Sequence, residues 1–176
     1  MHKQKIYHQL NNLGLYLKEN LLPKKEDIVK KVRGATPKNG ESEGYFIKLF
    51  LAPLLREFIK ENLEGLIIEG INSKGQTQFK KEFFGSKPAP DFRFTTPLPF
   101  NLVGEVKYGK LRLRSFATAL GQLIVYLESS KNETEQSQYG YLIFFNTEES
   151  KELTEREKEF INLMWKRENE RICLLR

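Results

Sequence analysis

Apolar residues recur along the chain in two periods, and the switches between them lay out its elements. Over residues 3–20, Ile6, Leu10, Leu13 and Leu17 return at spacings of three and four. They form one apolar stripe, which predicts an amphipathic helix ended by Pro23. A short basic helix is predicted over 26–32 and a loop over 34–40. A second long helix is predicted over 42–61, with Phe46, Ile47, Phe50, Leu54 and Phe58 inward and a kink at Pro53.

Strands are predicted over 65–70, 76–84, 91–95 and 102–108. Residues 113–129 read as a helix with Phe116, Leu120, Leu123, Ile124 and Leu127 inward. The run YGYLIFF within 138–146 has the length and aromatic content of a buried strand. Thr154 and Glu157 stand at capping-box spacing before a helix predicted to about Arg167, and 172–175 reads as a last strand. This order predicts an α/β fold, a sheet flanked by helices. With no repeat, low-complexity tract or linker, residues 1–176 read as one domain.

Composition narrows the function classes. No apolar run approaches the roughly 18 residues that span a bilayer. The opening Met1-His2-Lys3-Gln4-Lys5 lacks the apolar core of a signal peptide, so a cytoplasmic location and no membrane partner are expected. The one cysteine, Cys173, rules out an internal disulfide and any cysteine-based zinc or iron–sulfur site within these residues. A net charge of +6 is compatible with a polyanion partner. Of 23 acidic residues, only Asp27 and Asp91 are aspartates, which raises the question of what Glu could not do there.

Asp91 follows Pro90 at the start of a predicted strand, a place where Asp is a poor strand former. Asp91 and Arg93 share one strand face, Phe92 and Phe94 the other. In the next apolar strand, Glu105 and Lys107 fall on one face with Cα atoms roughly 6.6 Å apart. Charges in such a strand are costly unless paired or bound to a metal. The bland alternatives are a strand-start Asp bonded to nearby backbone and an exposed ion pair. Glu43 sits on the apolar face of the second long helix, where the helix dipole alone also favours an acid. Gln122 and Tyr126 are i and i+4 on one helix face, as an ordinary surface pair is too.

Together, Pro90-Asp91, then Glu105-x-Lys107, then Gln122-x-x-x-Tyr126, resemble the PD-(D/E)XK nuclease superfamily and its RecB-like QxxxY motif. The resemblance covers roughly residues 41–146. It implies a restriction-endonuclease-like core, a mixed sheet in the order αβββαβ, with extra N-terminal helices over 1–40 and a C-terminal helix and strand over 150–176. The upstream histidine usual in the RecB-like branch has no counterpart, since only His2 and His8 are present. Glu43 instead resembles the helix glutamate of restriction enzymes.

The implied activity is a Mg²⁺-dependent endodeoxyribonuclease of restriction, defence or repair type, with Mn²⁺ as a substitute. The resemblance implies Asp91, Glu105, the Val106 carbonyl and Glu43 as metal ligands. It makes Lys107 the residue that orients or deprotonates the attacking water, with Gln122 beside it on the substrate side. Arg93, Lys110, Arg112, Arg114 and Tyr126 are the expected nucleic-acid contacts. DNA is the expected substrate, with RNA open. One such site cuts one strand, so double-strand cleavage implies a homodimer or two binding events. The alternatives are a catalytically silent nucleic-acid-binding module of the same fold, a structure-specific resolvase or RNase, and a structural domain with an ion-paired sheet face.

Overall fold

The computed structural model describes residues 2–62, 67–71, 77–95, 100–131, 137–149, 151–166 and 170–176. Five strands form one mixed sheet in sequence order. They are β1 (Ile67–Ile71), β2 (Phe92–Thr95), β3 (Phe100–Gly109), β4 (Ser137–Asn146) and β5 (Glu170–Leu175). The first three are antiparallel neighbours, while β3, β4 and β5 run parallel. The helices are α1 (His2–Leu21), α2 (Lys25–Ala35), α3 (Ser42–Phe46), α4 (Ala52–Asn62), α5 (Leu113–Lys131) and α6 (Glu155–Lys166). Each parallel step needs a crossover, supplied by α5 and α6. The Thr154–Glu157 capping box closes at the start of α6: Thr154 N–H donates to Glu157 and Glu157 N–H donates to Thr154 Oγ1.

The other sheet face is covered by α1, α2 and a long helical segment. That segment is α3, a π-helical turn (Ile47–Leu51) and α4. The kink expected at Pro53 takes the form of this widened turn immediately before it. Proline lacks an N–H and its ring clashes with the carbonyl four residues back, so the helix widens there. The extra residue in the turn rotates α4 relative to α3. Leu51 and Leu55 become fully buried, while Phe50 and Leu54, expected inward, are only partly so.

The main core fills the space between these helices and the sheet. Leu10, Leu13, Leu17 and Leu21 of α1 pack with Ile28, Val32, Phe46, Leu55 and Phe58 against Phe92, Phe94, Val106, Tyr141, Ile143 and Phe145. Two smaller clusters lie under α5: Ala119, Leu123, Leu142 and Ile172, and Phe79, Val103, Tyr126 and Leu127. Ile124, expected inward on α5, is exposed. Ala119 and Tyr126 take the buried face instead, because the stripe that meets the sheet runs through 119, 123, 126 and 127.

The strand expected over 76–84 is absent from the sheet; Gln76 lies outside the described residues. Residues 79–88 form a small hairpin. Phe79 N–H donates to the Pro88 carbonyl at 2.9 Å, and Phe83 and Ser86 exchange both backbone hydrogen bonds. Its two-residue turn has positive φ at both Phe84 (49°) and Gly85 (73°), as a type I′ turn requires. Pro88 and Pro90 on the returning arm have no N–H to donate, so a ladder cannot spread from it. Among the described residues, no helix is long and apolar enough to cross a membrane.

Of the described glycines, Gly104 leaves the least room for a side chain. A Cβ there falls 1.8 Å from Cζ of Phe92, its cross-strand partner. Gly104→Ala is therefore expected to destabilise the protein by about 1–3 kcal/mol or more, as overpacking does. Urea unfolding would show a lower midpoint at unchanged slope, and Phe92→Leu in the same chain should restore part of the loss. An unshifted midpoint would contradict the tight packing.

Candidate metal and phosphate site at the free edge of β3

Pairing between β2 and β3 ends at Phe92 and Gly104, yet β3 continues to Gly109. Beyond Gly104, no strand among the described residues lies beside that edge of β3. Its N–H groups at alternate residues still need acceptors. Two acidic side chains supply them. Asp91, whose own N–H donates to the Gly104 carbonyl, accepts the Val106 N–H on Oδ2 at 2.7 Å. Glu43, from the first turn of α3, accepts the Tyr108 N–H on Oε2 at 3.2 Å. Phe46, one turn on, stacks on Tyr108 and fixes the approach of α3.

Glu105 is 2% exposed and lies beneath α5. Tyr126 donates its hydroxyl to Glu105 Oε2 at 3.0 Å, and the Lys107 ammonium pairs with Oε1. Lys107 also reaches Glu43 Oε1 at 3.5 Å. The ammonium thus bridges the two glutamates. The Glu105 charge also acts on Asp91, so the two carboxylates are electrostatic neighbours.

The electrostatics arise from this crowding. Burial first, and then the Glu105 charge, push Asp91 up to about 7. Burial also raises Glu105 and Glu43 against the opposing pull of Lys107. For Lys107, burial works downward, but Glu105, Glu43 and Asp91 outweigh it and the net shift is upward. The lysine is therefore held as an ammonium. Burial and the Glu105 charge raise Tyr126, so its hydroxyl remains a donor.

Asp91, Glu105, Lys107, Glu43 and Val106 are brought together. Val106 directs both backbone groups to the open edge, because a strand residue's N–H and C=O face the same way. Tyr126 is buried and braces Glu105, which is a positioning place rather than an exposed nucleic-acid contact. Gln122, one turn before it, is half-buried, and its Oε1 is a buried atom without a hydrogen-bond partner. Arg93 lies over the Phe79 ring at 4.6 Å, on the α5 side of the sheet. Arg112 and Arg114 are exposed, and Lys110 pairs with Glu148 at 2.5 Å. Buried Asn146 holds this basic loop to the end of β4 by accepting the Leu111 N–H at 3.1 Å.

Several contributors are not visible from sequence. Asn146 gives no signal beyond being a polar residue at a strand end. Phe79, the hairpin anchor against Tyr126, is hidden because its segment alternates like a sheet strand. Lys25, Lys30 and Arg33 of α2, legible only as a basic run, line a groove of about 340 Å³ with Glu26, Val29, Thr147 and Glu149. The Arg33 charge also acts on Tyr108, next to the site. Cys173 is buried, its thiol pushed up to about 11 by burial, so it is no nucleophile.

Among the described residues, no three His, Cys, Asp or Glu side chains are gathered as a metal cage. The candidate donors are two electrostatically coupled carboxylates, Asp91 and Glu105, and the Val106 carbonyl. That fits Mg²⁺, which is commonly held by one or two carboxylates together with substrate phosphate oxygens. Comparison with family models, with characterised proteins and with solved structures returns no match.

The raised Asp91 has a direct consequence for stability. Its folded value lies above its ordinary 3.8, so stability is lost as pH rises from about 4 through about 7. Asp91→Asn removes the charge and leaves an acceptor for Val106. In EDTA, this variant is expected to melt several degrees above the parent at pH 8, at about 2–4 °C per kcal/mol relieved. The gap should shrink towards pH 4. A gap of the same size at every pH would show that Asp91 carries no such strain.

Proposed function

We propose that the chain is a metal-dependent nuclease of the PD-(D/E)XK type, acting on DNA. The observation that carries this reading is the meeting of Asp91, Glu105 and Lys107 at the free edge of β3, with Glu43 across the lysine. The order of a helix bearing Glu43, three antiparallel strands, α5 and β4 supports a restriction-endonuclease-like core.

Asp91 and Glu105, with the Val106 carbonyl, would hold Mg²⁺ or Mn²⁺. When bound, the cation lowers the pKa of water and offsets charge on the phosphoryl group. Lys107 is held protonated, so it serves as a charged donor that orients water and phosphate rather than as the base. Glu43 shares that ammonium and sets its position. Tyr126 fixes the Glu105 carboxylate. Exposed Arg112 and Arg114, which follow β3 in the chain, would contact the nucleic-acid backbone, and the α2 groove with Arg33, whose charge acts on Tyr108, would add to that basic surface.

One site cleaves one strand, so double-strand cleavage calls for a homodimer or sequential nicks. A second reading, binding without cleavage, is favoured by the engagement of Lys107 with both glutamates.

Supercoiled plasmid, single strands and RNA incubated with Mg²⁺, Mn²⁺ or EDTA separate these readings. Metal-dependent cutting of DNA is expected, with Asp91→Ala, Glu105→Ala and Lys107→Ala each slower by about 10²-fold or more. The surface variant Lys158→Ala should match the parent. Cutting that survives all three substitutions defeats the site assignment. Retained binding with no cut under either metal establishes the second reading.

The α2 groove is tested by salt dependence. Lys30→Ala with Arg33→Ala should weaken duplex binding and lower the slope of log K against log salt by about 0.9 for each phosphate no longer neutralised. An unchanged slope removes α2 from the binding surface.

A further inference from the structure

The hairpin over 79–88 combines three features that the proposed reaction does not use. Its tip presents two aromatic rings to solvent. Phe84 is 96% exposed and Phe83 is 36% exposed, and the rings meet edge-on at 4.7 Å. Its flanks carry Lys80, Lys81 and Lys87, all exposed, against one acid, Glu82. Its turn is built on the wrong residue for stability. A type I′ turn favours Asn-Gly, because both central residues take positive φ. Here a bulky phenylalanine occupies the first of those positions at 49°. At 96% exposure that ring serves neither as a core residue nor, at its positive φ, as a turn former.

Both arms of the hairpin are tied to the candidate site. On the outgoing arm, Phe79 is buried with its ring 6.5 Å from Tyr126. On the returning arm, the Ala89 carbonyl accepts from the Tyr126 hydroxyl at 3.4 Å, the same hydroxyl that braces Glu105. The arm then runs through Pro90 directly into Asp91. Six residues lie between Phe84 and Asp91, so the chain keeps the two within about 24 Å, roughly seven base steps at 3.4 Å along a strand.

We infer that the Phe83–Phe84 tip is a base-stacking element that selects nucleic acid with unpaired bases next to the cleavage site. The inference rests on reading the neighbouring site as one that processes nucleic acid. An exposed aromatic face beside lysines matches both parts of a single strand, its π-faced bases and its phosphates. An uninterrupted duplex keeps its bases stacked on one another and offers the tip nothing but backbone. Gapped, flapped or single-stranded substrates offer a base to the ring. The charge on the flanks argues for this polyanion over a second copy of this basic chain.

The test measures binding by fluorescence anisotropy with the full chain in EDTA, so that cleavage is not the readout. The probes are a single strand, a gapped duplex and an unbroken duplex of matched length. The parent is expected to prefer the first two. Phe84→Ala should weaken those two by about 5- to 150-fold, the range for losing one stacked base, and leave the unbroken duplex nearly unchanged. Phe84→Trp should keep the preference. Phe84→Asn should lose the preference while raising the melting temperature, since it suits the turn.

Equal affinity of parent and Phe84→Ala for all three probes would overturn the inference. So would a Phe84→Ala variant whose only change is in self-association, read by sedimentation, or in binding to anionic vesicles. The two readings fail separately. Phe84-dependent binding with no metal-dependent cutting leaves the tip in place and removes the nuclease. Cutting that is indifferent to Phe84 leaves the nuclease and removes the tip.

Discussion

The open edge of β3 is the constraint on which the site depends. A strand that outlasts its neighbour leaves N–H groups that must find acceptors. At Val106 and Tyr108 the acceptors are the carboxylates of Asp91 and Glu43 rather than another backbone. That choice brings acids from two distant parts of the chain to a strand that already carries Glu105. Like charges then crowd at a half-buried place. Lys107 and the Tyr126 hydroxyl offset part of the crowding, which is why each is aimed at Glu105. Satisfying the edge and gathering the charged cluster are the same physical event.

The packing around the edge explains how such crowding is tolerated. Phe92 begins β2 immediately after Asp91, and its ring fills the space left by the missing side chain of Gly104. Asp91 is thereby fixed by a fully buried aromatic on one side and a backbone hydrogen bond on the other. On the opposite face, α5 lies against Val103 and Leu142 and delivers Tyr126 to Glu105. The acids are held by elements that the hydrophobic core positions first. The cost of gathering charge falls on a structure whose stability comes mainly from elsewhere.

Much of this is legible in the sequence, for reasons that differ by element. Helices α1 and α5 and strands β3 and β4 carry strong periodicity, and their expected ranges lie close to the observed ones. Asp91 stands out because aspartate is rare in this chain, and Glu105 and Lys107 because they break an apolar strand. What periodicity cannot show is direction in space. Ile124 and Tyr126 both lie on an apolar-looking helix, and only the seat against the sheet decides that the tyrosine is inward. The π-turn before Pro53 moves the buried stripe by one residue, a shift that a fixed 3.6 period cannot register. Residues 76–84 alternate as a strand does, but the prolines on the returning arm and the turn at Phe84-Gly85 close 79–88 into a hairpin. Glu43 could be placed on a helix face, whereas its bond to the Tyr108 N–H required the tertiary fold.

The seat of α1 has a consequence for how the molecule is made. Leu10 offers its carbonyl to Tyr141 of β4, and Gly14 lies against Cys173 of β5. A helix near residue 10 is therefore seated on strands more than a hundred residues later. During synthesis its seat is incomplete until residues 170–175 have been added, and loop closure over that separation is slow. Cys173 and Leu175 of β5 belong to the same core cluster as Phe46, Phe92 and Val106, which flank Glu43 and Asp91. A chain cut short before β5 would therefore carry the acids with part of the core that frames them missing.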